Sequence, residues 1–359
     1  MSDFKPGLEG VVAFETEIAE PDKEGSALRY RGVDIEELVG AKPYEQVWGL
    51  LVDDSFLPGM PPADLFVLGH PTGRAMADVQ GATARLSAEW GLGQLIDIGE
   101  GQAREDLGRL SATMISVVAQ SARGDATPVP ERVVEAGEIT AEQFLLRWRG
   151  EAEPTHVTAI DSYWVSAAEH GMNASTFTAR TVASTGADCA AAMSAAVGAL
   201  SGPLHGGAPT RVLRMLDEVA RSGDAERYVK GVLDSGERLM GFGHRVYRAE
   251  DPRARVLRRT AKELGSPRFE VAEELERAAL EELHARKPDR VLATNVEFWS
   301  AVVLDIADIP ADLFPAMFAC ARVAGWSAHV LEQKRTGRLI RPSAEYVGPA
   351  SRSLSSVTR

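Results

Sequence analysis

Cysteine is scarce. Cys189 and Cys320 are the only two in 359 residues, which excludes a disulfide framework and fits a reducing compartment. No His or Cys pair stands at metal-ligand spacing, so neither a zinc site nor another resident metal is expected. Long apolar runs are missing as well. The stretch 189–210 lacks formal charge, but it is mostly Ala, Gly and Ser with Pro203 inside, the composition of a small-residue core helix and a loop rather than a membrane span. The first residues, Met-Ser-Asp-Phe-Lys-Pro-Gly, carry no charged-then-apolar signal pattern, and with the cysteine usage this points to the cytoplasm. Positive charge is in deficit: the formal net charge is -13, which argues against nucleic acid or an anionic membrane as partner. No internal repeat or low-complexity segment is found, and Gly241-Phe242-Gly243 lacks the third glycine and the βαβ context of a dinucleotide fingerprint.

What remains is mostly helical. Up to about residue 32 the pattern is short and turn-punctuated, with 11–18 and 27–32 flanking Pro21 to Gly25, and predicts a small β-hairpin-like element. Beyond it, spacing and punctuation predict helices at 34–40, 43–52, 73–89, 103–122, 132–149, 155–169, 175–185, 188–200, 208–221, 225–238, 252–264, 268–286, 295–307 and 311–334. The expected class is all-α with a small N-terminal β element.

An acidic protein that binds an acidic ligand has to gather its cations in one place, and 245–259 does so with six arginines (245, 248, 253, 255, 258, 259) against Glu250 and Asp251. His244 precedes them in a glycine-framed loop. Asp251-Pro252 is a helix-opening pair, which puts Arg253 and Arg255 in a first turn that already presents positive charge. Exposed cations there cost roughly 0.3–1 kcal/mol each, a cost that reverses once an anion sits at that helix end. The bland reading is a solvated basic helix. His205, before Gly206-Gly207, can project into a cleft or be an inconsequential turn histidine. Arg322 is the only formal charge in 313–331. It therefore needs a buried anion, either a protein carboxylate or a ligand, because an uncompensated buried charge costs about 3–5 kcal/mol. Thr294-Asn295-Val296-Glu297 fits a capping box, which would make Glu297 a helix cap; its other reading is a general base tuned in a cleft. His170 ends one helix ahead of another and could bond a substrate oxygen.

Taken in order, Gly7 to Val12, Leu28 to Gly32, Glu169-His170-Gly171-Met172-Asn173-Ala174-Ser175, Gly202 to Gly207, Gly241 to Arg253, Asn295 to Ser300 and Arg322 to Gln333 resemble citrate synthases of the shorter bacterial type, in particular the second actinobacterial group. The resemblance implies a two-domain, all-α homodimer. Residues 1–206 would form the first part of a large helical domain, 207–308 a small domain, and 309–359 the C-terminal part of the large one. It implies a Claisen-type condensation of acetyl-CoA with oxaloacetate and hydrolysis of the citryl thioester to citrate and CoA, with coenzyme A arriving as a thioester substrate and no cofactor or metal. His205 would act on the thioester carbonyl, His244 on the ketone, and Glu297 would be the base where the family usually has aspartate. Arg253, Arg322 and His170 would hold oxaloacetate, joined by Arg341 of a second subunit. Met240, Gly241, Phe242, Gly243 and Arg245 would receive coenzyme A.

One alternative is a 2-methylcitrate synthase using propionyl-CoA, since one methyl group is worth only about 1–3 kcal/mol of discrimination. Another, of a different class, is a non-catalytic CoA-binding regulatory paralogue in which Glu297 is only a cap. After His205 the chain reads Gly206-Gly207-Ala208-Pro209-Thr210, where relatives commonly continue Ala-Asn-Glu.

Overall fold

The structure, a computed structural model, describes residues 4–22, 27–124, 127–205, 209–243, 250–289 and 292–357. Among them the fold is all-α with a small β element, as expected. The strands β1 (Ala19–Asp22), β2 (Ala27–Tyr30) and β3 (Val33–Asp34) form one antiparallel sheet in that order, with Ala19 opposite Tyr30 and Arg29 opposite Asp34. The expected strand at 11–18 does not form: Val11 and Val12 are exposed, and pairing starts only after the buried Ile18.

The helices are α1 (Ile35–Leu38), α2 (Tyr44–Asp53), α3 (Ala75–Glu89), α4 (Glu100–Arg123), α5 (Glu131–Val134), α6 (Thr140–Arg149), α7 (Pro154–Ala167), α8 (Ala174–Ser184), α9 (Cys189–Leu200), α10 (Pro209–Ser222), α11 (Ala225–Asp234), α12 (Pro252–Glu263), α13 (Phe269–Arg286), α14 (Val296–Ile306) and α15 (Phe314–Thr336). The single helix expected at 132–149 is two. The chain breaks at Gly137, where an added Cβ would lie 3.0 Å from Gln143 Cγ and 3.1 Å from its backbone nitrogen, so the glycine lets the loop fold back onto α6. No described helix is long and apolar enough to cross a membrane.

Helix α15 organises the interior. It packs on α2, α4, α7, α8 and α9 and is buried on nearly every side, as the single charge in 313–331 predicts. Close approach is permitted at Gly325: its amide donates to Ala168 O at 3.2 Å, and a Cβ there would fall 2.7 Å from that oxygen and 2.0 Å from Glu169 Oε2. This contact brings Arg322, one turn earlier, within electrostatic reach of Glu169. Gly325→Ala is expected to lower stability by about 1–3 kcal/mol through overpacking, read by denaturant unfolding. An unchanged midpoint would show that the helix can slide.

A second group, α10, α11 and α13, packs together, and α14 bridges α10, α12 and α7. The joint at 201–205 and the start of α14 face the cleft between them. Asp251 caps α12 through Arg253 N at 3.0 Å with Pro252 in the first turn, as the sequence predicts.

Candidate active site

His205 is set by the start of α8. Asn173 caps that helix, accepting from Thr176 N at 3.1 Å. Ser175, two residues in, brings its amide 3.4 Å and its hydroxyl oxygen 2.9 Å from His205 Nε2. The hydroxyl oxygen accepts from Trp326 Nε1 at 3.1 Å, and Asn173 Oδ1, 2.9 Å away, competes with His205 for its one proton. The amide can only donate; with Nε2 as its acceptor the ring proton resides on Nδ1, and the Ser175 hydroxyl turns its proton to Nε2 rather than to Asn173. Burial, then the charge of Arg322, depress the imidazole from its ordinary 6.5 to about 4, and the positive end of α8 acts in the same direction. The result is a neutral imidazole with an N–H to give.

Arg322 is 3 % exposed, and among the described residues its Nε and Nη1 are buried without an acceptor. Phe318, one turn earlier on α15, lies 4.8 Å beneath the guanidinium and edge-on to the His205 ring at 6.3 Å. The nearest compensating charge is Glu169, which acts through space: among the described residues no carboxylate oxygen lies within salt-bridge distance of Arg322. Glu169 itself is fully buried. Burial opposes its ionisation, but His329, whose Nε2 lies 3.2 Å from Oε1, and then Arg322 hold the carboxyl below its ordinary value. Arg180 approaches His329 Nδ1 at 2.9 Å and can only donate, so Nε2 carries the proton facing Glu169. His170 is buried beside this group.

The capping-box reading of Glu297 is corrected by the structure. Asn295, not Thr294, is the N-cap: its Oδ1 accepts from Glu297 N at 3.0 Å, which makes Glu297 the second helical residue. Among the described residues the Glu297 carboxylate makes no bond back to the helix start. Burial raises it from 4.5 to about 7, opposed by Arg253 and reinforced by Asp251. Arg253, 2 % exposed, is gripped by Asp251 through Nε at 3.0 Å and Nη2 at 2.8 Å. The second Asp251 oxygen also accepts from Val296 N at 3.1 Å and so ties α12 to α14.

His205, Met240 and Glu297 line one cleft of about 860 Å³, with Arg211, Arg214 and Arg238 also in its wall, a size suited to a sizeable organic ligand. Gly241 and Gly243 stand at φ +88° and +83°. Phe242 forms an isolated bridge to Thr294 and packs on Phe298 at 5.3 Å. Of the residues expected at the site, these and His170, Arg253 and Arg322 fall in the described part; His244 and Arg245 lie outside it, as do Arg248, Gly206, Gly207 and Ala208. Arg341 is exposed on the extended segment after α15. Three of the clustered arginines follow the bland reading: Arg255 and Arg259 pair with Glu36, and Arg258 with Glu273. Sequence reasoning assigned no role to Ser175, Asn295, Arg211, Arg214 or Arg238. A small polar residue in a helix first turn was the available signal for the first two.

The family model for the C-terminal domain of citrate synthase matches residues 7–67 and 62–343. The chain belongs to the citrate synthase family. The provisionally named citrate synthase 2 of Mycobacterium tuberculosis is 62% identical over 357 residues, covering 99% of this chain and 96% of that one. The citrate synthase of Haloferax volcanii is 37% identical, covering 96% of each. Among solved structures, that of Pyrobaculum aerophilum citrate synthase superposes with TM-score 0.83 at 31% identity, covering 97% of this chain and 93% of that one. Thermoplasma acidophilum citrate synthase, solved as a ternary complex with carboxymethyl coenzyme A and oxaloacetate, gives 0.82 at 27% identity and covers 98% of each. The chain is thus an enzyme of the citrate synthase kind, an acyl-transferring condensing enzyme. The cleft of this chain holds the His205 imidazole and the Glu297 carboxyl in one space.

Proposed function

We propose that this cleft condenses acetyl-CoA with oxaloacetate and hydrolyses the resulting thioester to citrate and CoA. The observation that carries the reading is that His205 and Glu297 share one cleft, the imidazole neutral with its proton on Nδ1 and the carboxyl drawn up to about 7. A thioester methyl group is too weak an acid for an isolated carboxylate to deprotonate fully. Glu297 removes the methyl proton while His205 Nδ1–H donates to the thioester oxygen, so the charge develops as an enol rather than a free carbanion. The enol carbon attacks the oxaloacetate ketone and forms the carbon–carbon bond, the ketone oxygen gaining a proton. Water then cleaves the thioester, releasing CoA.

Arg322 supplies the buried cation for one substrate carboxylate, with Arg253 and His170 beside it. The exposed Arg341 acts in the site of a second subunit of a homodimer, and His244 is the polariser of the ketone. Arg211, Arg214 and Arg238 give the cleft wall the charge that coenzyme A phosphates need. The protein brings no cofactor of its own to this chemistry.

Free thiol released from acetyl-CoA and, separately, from propionyl-CoA, with and without oxaloacetate, tests the reading. Oxaloacetate-dependent release with citrate as product is expected. A specificity constant larger for propionyl-CoA would make the enzyme a 2-methylcitrate synthase, and no release with either thioester would sink the catalytic assignment.

A further inference from the structure

We propose that Asn295 is a positioning residue that locks the glycine loop 241–243 to the helix bearing Glu297, so that the thioester-holding loop and the base keep one fixed spacing. The inference rests on the proposed role of Glu297 and specifies how that carboxylate is placed.

Asn295 is 8 % exposed and uses each of its polar groups in a different direction. Its backbone N–H donates to Gly241 O at 2.9 Å. Its side-chain Nδ2 donates to Gly243 O at 2.9 Å, and its Oδ1 accepts from Glu297 N at 3.0 Å. The clip is closed from the other side by Gly243 N, which donates to Ala293 O at 2.7 Å. The loop also lies tight against α14: a Cβ on Gly241 would fall 2.8 Å from Phe298 Cβ. Loop and helix start therefore move as one piece, and the base sits two residues beyond the clip.

A residue chosen only to cap α14 could be Asp or Ser as well as Asn. The carbonyl of Gly243 removes that freedom. It needs a donor on the same side chain whose oxygen caps Glu297, and a side-chain amide offers both at once. Asp251, which covers the Val296 amide, gives the helix a second cap, so the Asn295 amide is more than helix stability requires. Spacing matters here because an error of about 1 Å between a base and the carbon it deprotonates can cost about a hundredfold in rate.

The test compares Asn295→Ser and Asn295→Asp, which keep the capping oxygen and lose the donor to Gly243, with Asn295→Ala, which loses both. For the Ser and Asp variants we expect a folded protein with a modestly lowered melting temperature, because the Gly243 carbonyl loses its donor, and wild-type oxaloacetate affinity. Their kcat/KM for acetyl-CoA should fall tenfold or more, and most in the Asp variant, whose second oxygen faces a carbonyl. Entry of solvent deuterium into the acetyl-CoA methyl group, measured with a ketone-free analogue of oxaloacetate bound, should fall in parallel. A residue that only caps would leave Ser and Asp at the wild-type rate and penalise Ala alone in stability. Ser and Asp variants within twofold of wild type on both kinetic readouts would overturn the proposal. A wild-type protein that releases no thiol would instead remove the assignment of the base on which the proposal stands.

Discussion

Glu297→Gln is expected to slow turnover by about a hundredfold to ten-thousandfold, the usual worth of a general base. At pH 8 it should also make the folded protein more stable, by about 3 kcal/mol. The two effects share a cause. Burial lifts the Glu297 carboxyl from 4.5 to about 7, so between those values the folded protein holds a proton that the unfolded chain has released. The stability linked to Glu297 is fully present below about 4.5 and is lost as pH rises through about 7. At pH 8 the native enzyme carries the whole cost of a buried carboxylate, whereas glutamine, of nearly the same shape, carries none. Denaturant unfolding of both proteins at pH 5 and pH 8 should show a gap that widens towards pH 8. In the native enzyme kcat/KM should rise with pH and level off above about 7, because the base must be ionised to accept a proton. An unchanged rate in the variant would remove Glu297 from the chemistry. Equal stabilities at both pH values would show that its surroundings do not resist its charge.

The contrast between Asp251 and Glu297 shows what local sequence conveys. Asp251-Pro252 opens α12 as predicted because both residues act within one turn: the carboxylate caps the next amide but one, and the proline occupies a position that needs no N–H. At α14 two cap-forming residues stand side by side. Asn295 wins because it also answers Gly243 O, 52 residues earlier, and that demand is invisible in a four-residue motif. Arg322 was legible as a lone charge in an apolar helix, but its partner was not, since the choice depends on whether any carboxylate reaches it across the fold. The arginines of α12 mislead for the same reason. Glu36, more than 200 residues away in sequence, takes Arg255 and Arg259. His205 could be named a candidate from its glycine-rich joint, but its neutrality comes from burial and Arg322 and its tautomer from the Ser175 amide at the start of another helix. The all-α class was accessible throughout, because helical periodicity is repeated along the chain. The break at Gly137 was not, because it depends on packing against α6.

Arg322→Met is expected to reverse the usual outcome of a substitution in the centre of a buried helix. The unliganded variant should melt at or above the wild-type temperature, while oxaloacetate affinity falls by a factor of about 30 to 5,000, the equivalent of 2–5 kcal/mol for truncating one partner of a buried charged pair. In the unliganded protein the guanidinium is a liability: burial pulls its pKa down, and among the described residues Nε and Nη1 have no acceptor. Each buried donor left unsatisfied costs about 1–3 kcal/mol. An unbranched apolar side chain of similar length fills the space over Phe318 and removes those penalties. Loss of the attraction to Glu169 offsets part of the gain, as Arg322 helps keep that carboxyl ionised. Oxaloacetate changes the balance, because a carboxylate accepting from a buried guanidinium turns the same donors into charge-assisted bonds. Saturating oxaloacetate should therefore raise the wild-type melting temperature, by the equivalent of about 2.7 kcal/mol at a hundredfold excess over Kd, and that of the variant, at the same concentration, by the equivalent of less than about 1 kcal/mol. A variant that melts far below wild type yet still gains stability from oxaloacetate would make Arg322 a structural cation. The stability that Arg322 withholds from the empty fold is, on this reading, what makes binding of the dianion both tight and selective: a neutral or singly charged analogue leaves donors unsatisfied and loses more than the contact it lacks.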